Sequence, residues 1–171
     1  MWLLSRSGGD PDATVARLLP HLDAAYTLAR WLMRDPARAE DVVQDAMLKA
    51  IEGAAGFRGG DPRAWLLRIV RNAAYDAMAV TRRGREDPLL DTLVDPAPDV
   101  ERSYAAREGL GLLSEALERL PVEWREALVL REVEGMSYRE IAAVTEAPIG
   151  TVMSRLSRGR RALLKLQEQV S

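Results

Sequence analysis

The side chains best equipped for chemistry in this sequence sit on three helical stripes. Thr151, Ser154, Arg155, Arg158 and Arg161 recur near the C-terminus at helical spacing. Guanidiniums and small hydroxyls on one face can meet base edges and phosphates in a DNA major groove. Arg68, Arg71, Asn72 and Tyr75 form a second stripe, with Trp65 one turn ahead. Arginines can track phosphates, the aromatics can stack on bases, and the amide can bond a base edge, which suits a single strand. Asp41, Gln44, Asp45 and Leu48 fall at i, i+3, i+4 and i+7 on a third stripe. Acids around a leucine fit a basic docking partner with an apolar contact. Each stripe also has a plainer reading: an ordinary basic hairpin, a mixed surface with Tyr75 partly buried, and a solvated acidic face. Trp65 reads equally as core or as a stacking platform. Enzymatic constellations are scarce: there is no cysteine, and His21 is the single histidine. Disulfides, thiol nucleophiles and zinc fingers are excluded, and no metal or cofactor is expected.

The elements that must position these stripes are all helical. Ser137 reads as an N-cap with Glu140 completing a capping box, and Glu146-Ala147-Pro148 stops that helix. A second helix starting near Gly150 carries Val152, Leu156 and Leu163 inward and the arginine stripe outward. A short helix, a tight turn and a longer basic helix is the helix-turn-helix pattern. Upstream, Asp35-Pro36 and Asp61-Pro62 each pair an N-cap with proline at the first helical position. The first predicts a helix to about Ala54, buried through Ala39, Val42, Val43, Ala46, Met47, Ala50 and Ile51. The second predicts a helix to about Thr81, buried through Leu66, Ile69, Ala73, Ala77 and Val80. An earlier helical pattern, from about Ala13 to Met33, buries Val15, Leu18, Leu19, Leu22, Ala25, Tyr26, Ala29 and Leu32, with Pro20 splitting it. Leu110, Leu113, Leu117 and Leu120 mark another helix. Pro121 opens one carrying Trp124, Leu128 and Val133, and Gly135 ends it.

The net charge of −2 conceals strong segregation. Seven arginines face two aspartates between Arg58 and Arg85, a local balance of +5, and the stretch from Ser137 onward stands at +3. Between them, Glu86 to Glu118 carries −7, with Pro88, Pro96 and Pro98 interrupting any periodicity. Its proline-rich part, Asp87 to about Asp99, reads as a linker between two basic units. The fold class expected is therefore all-α: two small helical domains joined by a flexible acidic linker. Met1-Trp2-Leu3-Leu4 is too short for a signal peptide, and no apolar run has membrane length, so a cytoplasmic chain is expected.

The spelling of these motifs carries a resemblance. AEDVVQDAMLKAI (Ala39–Ile51), FRGGDPRAWLLRIVRN (Phe57–Asn72), and LPVEWREALVLREVEGMSYREIA followed by PIGTVMSRLSRGRRAL together resemble the extracytoplasmic-function sigma factors of bacterial RNA polymerase. The resemblance covers nearly the whole chain. It implies sigma domain two at 12–86, an acidic linker at 87–108 and sigma domain four at 109–169. It implies a non-enzymatic initiation factor that binds core polymerase through the β′ clamp and β flap, reads −10 and −35 promoter DNA, and answers to an anti-sigma factor. On that likeness Asp41, Gln44, Asp45 and Leu48 dock on polymerase. Asn72 matches the −10-reading asparagine, and Phe57, Arg58, Gly59 and Gly60 match the loop that captures a −10 base. Ser154, Arg155 and Arg158 match −35 contact positions. Met153 stands where many members have lysine or arginine, and Glu146 where the turn usually has glycine. The rivals are a helix-turn-helix regulator that works without polymerase and a sigma mimic that only sequesters an anti-sigma factor.

Overall fold

The computed structural model describes residues 10–86 and 106–170, and every element among them is helical. The apolar start Met1–Leu4 and most of the acidic linker lie outside the described residues. Helix α1 (Pro11–Leu18) runs through a 3-10 turn at Leu19–His21 into α2 (Leu22–Met33), so Pro20 splits the first helical pattern as its missing N–H requires. Then come α3 (Pro36–Glu52) and, after a short 3-10 turn, α4 (Pro62–Glu86). Asp35 accepts the Arg38 amide at 3.2 Å, and Asp61 accepts that of Arg63 at 3.0 Å. Both Asp-Pro start signals are thus N-caps, each worth about 1 kcal/mol. Helix α4 runs beyond Thr81, where sequence reasoning ended it.

Helices α2, α3 and α4 pack on one another, with α1 against α3 and α4. Leu28, Leu32, Leu66, Leu67 and Val70 fill the middle, and each such burial contributes roughly 1.5–3 kcal/mol. The stripes therefore outweigh the caps: packing holds the unit, and capping sets where its helices begin. Leu19, Tyr26, Ile51 and Val80 were expected inside and lie exposed. Leu19 belongs to the 3-10 turn, whose tighter pitch takes it off the helical stripe. The other three sit at the edges of stripes. The α4 core runs instead through Leu66, Leu67, Val70, Ala73 and Ala74, a face rotated from the predicted one.

The second unit comprises α5 (Ala106–Glu118), α6 (Val122–Leu128), α7 (Tyr138–Thr145) and α8 (Ile149–Val170). Leu117 and Leu120 are buried as expected, whereas Leu113 and Val133 are exposed. Buried Arg125 donates to the carbonyls of Glu118 and Leu120 at 3.2 and 3.3 Å, closing the C-terminal end of α5. After Leu128 the chain widens into a π-helical turn, Val129–Val133, with the Glu134 amide reaching back to the Val129 carbonyl at 3.1 Å. Gly135 then takes φ +65° and ends the run. The two units are packed together: α4 lies against α7, and α2 against α6.

Helix α7 begins with a complete capping box. Ser137 Oγ accepts the Glu140 amide at 3.2 Å, and Glu140 Oε2 accepts the Ser137 amide at 2.6 Å. That backbone hydrogen bond holds the Glu140 carboxyl below its ordinary value. The helix ends on Glu146 at φ +53°, a left-handed conformation that costs a side chain with a Cβ about 1 kcal/mol. Glu146→Gly is therefore expected to stabilise the chain by about 0.5–1 kcal/mol, read as a raised midpoint in urea unfolding. An unchanged or lowered midpoint would remove backbone strain as the reason glycine is favoured in this turn.

Candidate nucleic-acid and polymerase interfaces

The three stripes occupy different surfaces, and their side chains are not equally free. On α3, Asp41, Gln44, Asp45 and Leu48 all point outward, and Leu48 is 60% exposed despite its aliphatic side chain. Ile51, 44% exposed, sits one turn further along and enlarges the apolar part of that face. Asp45 is engaged by Lys49 at 2.8 Å, and Lys49 also approaches Asp76 of α4 at 3.8 Å. The hydrogen bond to Asp45 raises the Lys49 pKa. The acidic character of the stripe is thus partly balanced from within.

The loop before α4 holds Phe57 and Arg58, followed by Gly59 and Gly60 at φ +91° and +97°. Two successive glycines in that region let the chain turn sharply where a side chain would be strained. Phe57 packs its ring on Trp65 with centroids 4.8 Å apart, and the Arg17 guanidinium lies 5.3 Å from the Phe57 centroid. Trp65 is half-buried, packs against the core and meets the Phe57 ring. Arg58 is exposed.

Further along α4 the stripe divides. Asn72 is exposed, but Arg68, Arg71 and Tyr75 are turned into the second unit. Arg71 Nε donates to Glu126 Oε1 at 2.6 Å, and the Tyr75 hydroxyl donates to Glu126 Oε2 at 3.1 Å. The Arg71 guanidinium also lies 4.3 Å from the Tyr75 ring centroid. Arg68 reaches Glu146 at 3.9 Å, and Arg63 donates to the Glu134 carbonyl. Glu126 is fully buried. Burial pushes its carboxyl above the ordinary value, against the opposing pull of Arg71 and Tyr75. Burial also raises the Tyr75 hydroxyl, with Glu126 adding to it, so that hydroxyl remains a donor. For Arg71, desolvation pulls downward but the charge and hydrogen bond of Glu126 win, and its proton is held more tightly. Sequence reasoning missed Glu126. The available signal was a carboxylate four residues before buried Leu130, inside an apolar stripe.

In the helix-turn-helix, α7 and α8 are joined through Glu146–Pro148, and the Pro148 carbonyl accepts the Thr151 and Val152 amides at 2.9 and 3.1 Å. Val152 and Leu156 are buried, Thr151, Ser154 and Arg155 are half-buried, and Arg158 and Arg161 are exposed, with Met153 beside them. Arg155 lies close enough to Glu126 for its charge to help hold that carboxyl down. Arg160, beside Arg161 on the same helix, is already paired. Its Nε and Nη2 both donate to Glu132 Oε1, at 3.0 and 2.6 Å. The seat of α8 depends on Gly159, where an added Cβ would come within 2.8 Å of Leu128 Cδ1 on α6. Among the described residues no group of carboxylates and imidazoles could hold a metal ion, and no helix is long and apolar enough to cross a membrane.

Comparisons with known proteins follow the same two-unit division. The family described as Sigma-70 region 2 matches residues 18–85, and Sigma-70 region 4 matches 110–163. The chain is 35% identical to the RNA polymerase sigma-H factor of Pseudomonas aeruginosa, over 92% of this chain and 87% of that protein. It is 38% identical to the ECF RNA polymerase sigma-E factor of Escherichia coli, over 72% and 70%. Among solved structures, it is similar to the sigma factor RpoE in complex with the anti-sigma factor NepR from Bartonella quintana. The TM-score is 0.74 at 34% identity, covering 88% of this chain and 94% of that one. CnrH in complex with the cytosolic domain of CnrY gives a TM-score of 0.68 at 27% identity, covering 97% and 94%.

The packing at Gly159 has a direct test. Gly159→Val should force α8 away from α6 and destabilise the chain by about 1–3 kcal/mol, measured by urea unfolding. A variant as stable as the parent would mean that α8 has room to spare on that side.

Proposed function

We propose that this chain, which belongs to the extracytoplasmic-function sigma factors of the sigma-70 family, divides promoter recognition between its two helical units. Membership makes it a promoter-specific transcription initiation factor under the control of an anti-sigma factor. The observation that carries the reading is the match of regions 2 and 4, in order, to two units with exposed faces of suitable chemistry. The finer assignments are ours. Residues 12–86 act as sigma domain two, 109–169 as sigma domain four, and 87–108 as the acidic connection. The exposed α3 face, Asp41, Gln44, Asp45 and Leu48, docks on the β′ clamp of RNA polymerase, with Ile51 extending the apolar contact. The second unit meets the β flap. The chain works in the cytoplasm, where polymerase does.

Phe57, Arg58 and Asn72 take the −10 strand, with Trp65 supporting Phe57 and with Arg68, Arg71 and Tyr75 along α4. No covalent step is assigned to any residue. An unstacked base held against the protein lowers the energy of the open strand, and that differential binding drives opening. Thr151, Ser154, Arg155, Arg158 and Arg161 face the −35 duplex. Arg158, one turn beyond Ser154, reads base edges. Arg161, near the far end of the stripe, meets phosphate.

Docking is tested by the double change Asp45→Arg with Leu48→Ala. It places like charges against a basic partner and removes the apolar contact, which together cost several kcal/mol. Core-polymerase affinity should fall at least about 100-fold while helical circular dichroism is retained. Undiminished affinity would refute the docking face. For α8, Arg158→Ala should relax preference at one −35 position by roughly 1–3 kcal/mol. Arg161→Ala should weaken every promoter alike and lower the salt slope by about one. Binding of the full chain with core polymerase to a −35 variant library, at several salt concentrations, separates the two. A parallel loss on all sequences for Arg158→Ala would reverse the assignments.

A further inference from the structure

We propose that the packed arrangement is a self-masking state, in which the second unit covers the strand-binding face of α4 with its own acceptors. The inference rests on the assignment of that face to the −10 strand. Of the α4 groups assigned there, Arg71 and Tyr75 are spent on the second unit, and Arg68 leans towards Glu146 at 3.9 Å. Arg63, one turn earlier, is spent on the Glu134 carbonyl. The acceptors are chemically what a DNA strand would offer: carboxylate oxygens in place of phosphate oxygens. Glu126 is the centre of the mask. Its two oxygens are taken separately by a guanidinium and a phenol, and no solvent reaches it. A nucleotide phosphate cannot approach Arg71 while Glu126 is there, so closure and strand binding exclude each other. Asn72 and Arg58 remain exposed. The masked chain therefore keeps part of its reading surface but not Arg71, the α4 cation whose guanidinium is taken by Glu126.

The mask is also built to open. Burying a carboxylate takes away hydration that its partners only partly replace, so such a pair adds little net stability. Separation returns Glu126 and Arg71 to water. The Arg68–Glu146 contact is long and largely exposed and contributes little more. A closed fraction of about 90–99% would lower apparent strand affinity about 10–100-fold. Polymerase docking on the α3 face, or −35 engagement by α8, need only prefer the open arrangement to release α4.

The absence of cysteine makes the test direct. Cysteines introduced at exposed Glu40 on α3 and exposed Glu168 on α8 take a dye pair that reports separation of the units in the full chain. Affinity is read in parallel with an unlabelled chain and a fluorescein-labelled, random-sequence, single-stranded oligodeoxynucleotide pool. Glu126→Gln keeps the shape but removes the charge facing Arg71. It should change energy transfer towards separation and tighten strand binding about 10-fold or more. Glu146→Lys, at an exposed position that cannot disturb the interior, should act in the same direction by repelling Arg68. Unchanged energy transfer in both variants would overturn the mask, whatever happens to DNA affinity. Separation without tighter binding would instead show that the units part but that α4 is not the strand face, refuting the assignment on which the mask rests.

Discussion

A carboxylate without access to water dictates its surroundings, and Glu126 does so here. It sits on α6 but finds both of its partners on α4, in a different unit. The buried apolar side chains of the two units form one continuous cluster. The Glu126 contact adds a polar requirement to that shared core and helps fix the register: Arg71 and Tyr75 are one helical turn apart, so two oxygens of a single carboxylate address two successive turns of α4. Neighbouring contacts follow from that register, with Arg68 brought to the turn of the helix-turn-helix and Arg63 to the chain after the π-helical turn. Because burial works against the carboxylate while Arg71 works for it, this contact contributes specificity more than strength.

Much of the architecture was legible because its signals are local. Asp35-Pro36, Asp61-Pro62, the Ser137–Glu140 box and Gly135 each act within a few residues, and each is found where a start or stop was expected. The helix-turn-helix was legible for the same reason, and the structure adds that Glu146, where the resemblance has glycine, takes a positive φ. The misplaced residues are of another kind. Val80, Ile51 and Tyr26 are apolar side chains at stripe edges, where inward or outward orientation depends on what packs beside them. Periodicity describes one helix at a time and cannot supply that neighbour.

The candidate site divides along the same line. Leu48, Arg158 and Arg161 are exposed, and an outward-facing leucine among acids has no packing role within its own helix. The contact between α4 and the second unit was invisible because it joins residues 55 positions apart through an interface that neither helix announces. Arg160 illustrates the reverse case. As an arginine on a basic helix it reads as a phosphate ligand, yet Glu132, distant in sequence, occupies it. Charge patterning locates a basic face; it does not say which of its members are already engaged.

The π-helical turn at Val129–Val133 has a consequence for how this chain tolerates change in length. A wide turn accommodates one residue more than a regular helical turn would, and shifts the facing of everything after it by about 100°. Within that turn lie Arg131, which donates to the Met136 carbonyl at 2.8 Å, and Glu132, which holds Arg160. Losing one residue here would let α6 relax into an ordinary helix and leave both side chains aimed elsewhere. An insertion or deletion in a surface loop is absorbed where it occurs. In this segment the residue count itself is a structural parameter, setting the rotational phase between α6 and the helix-turn-helix that follows.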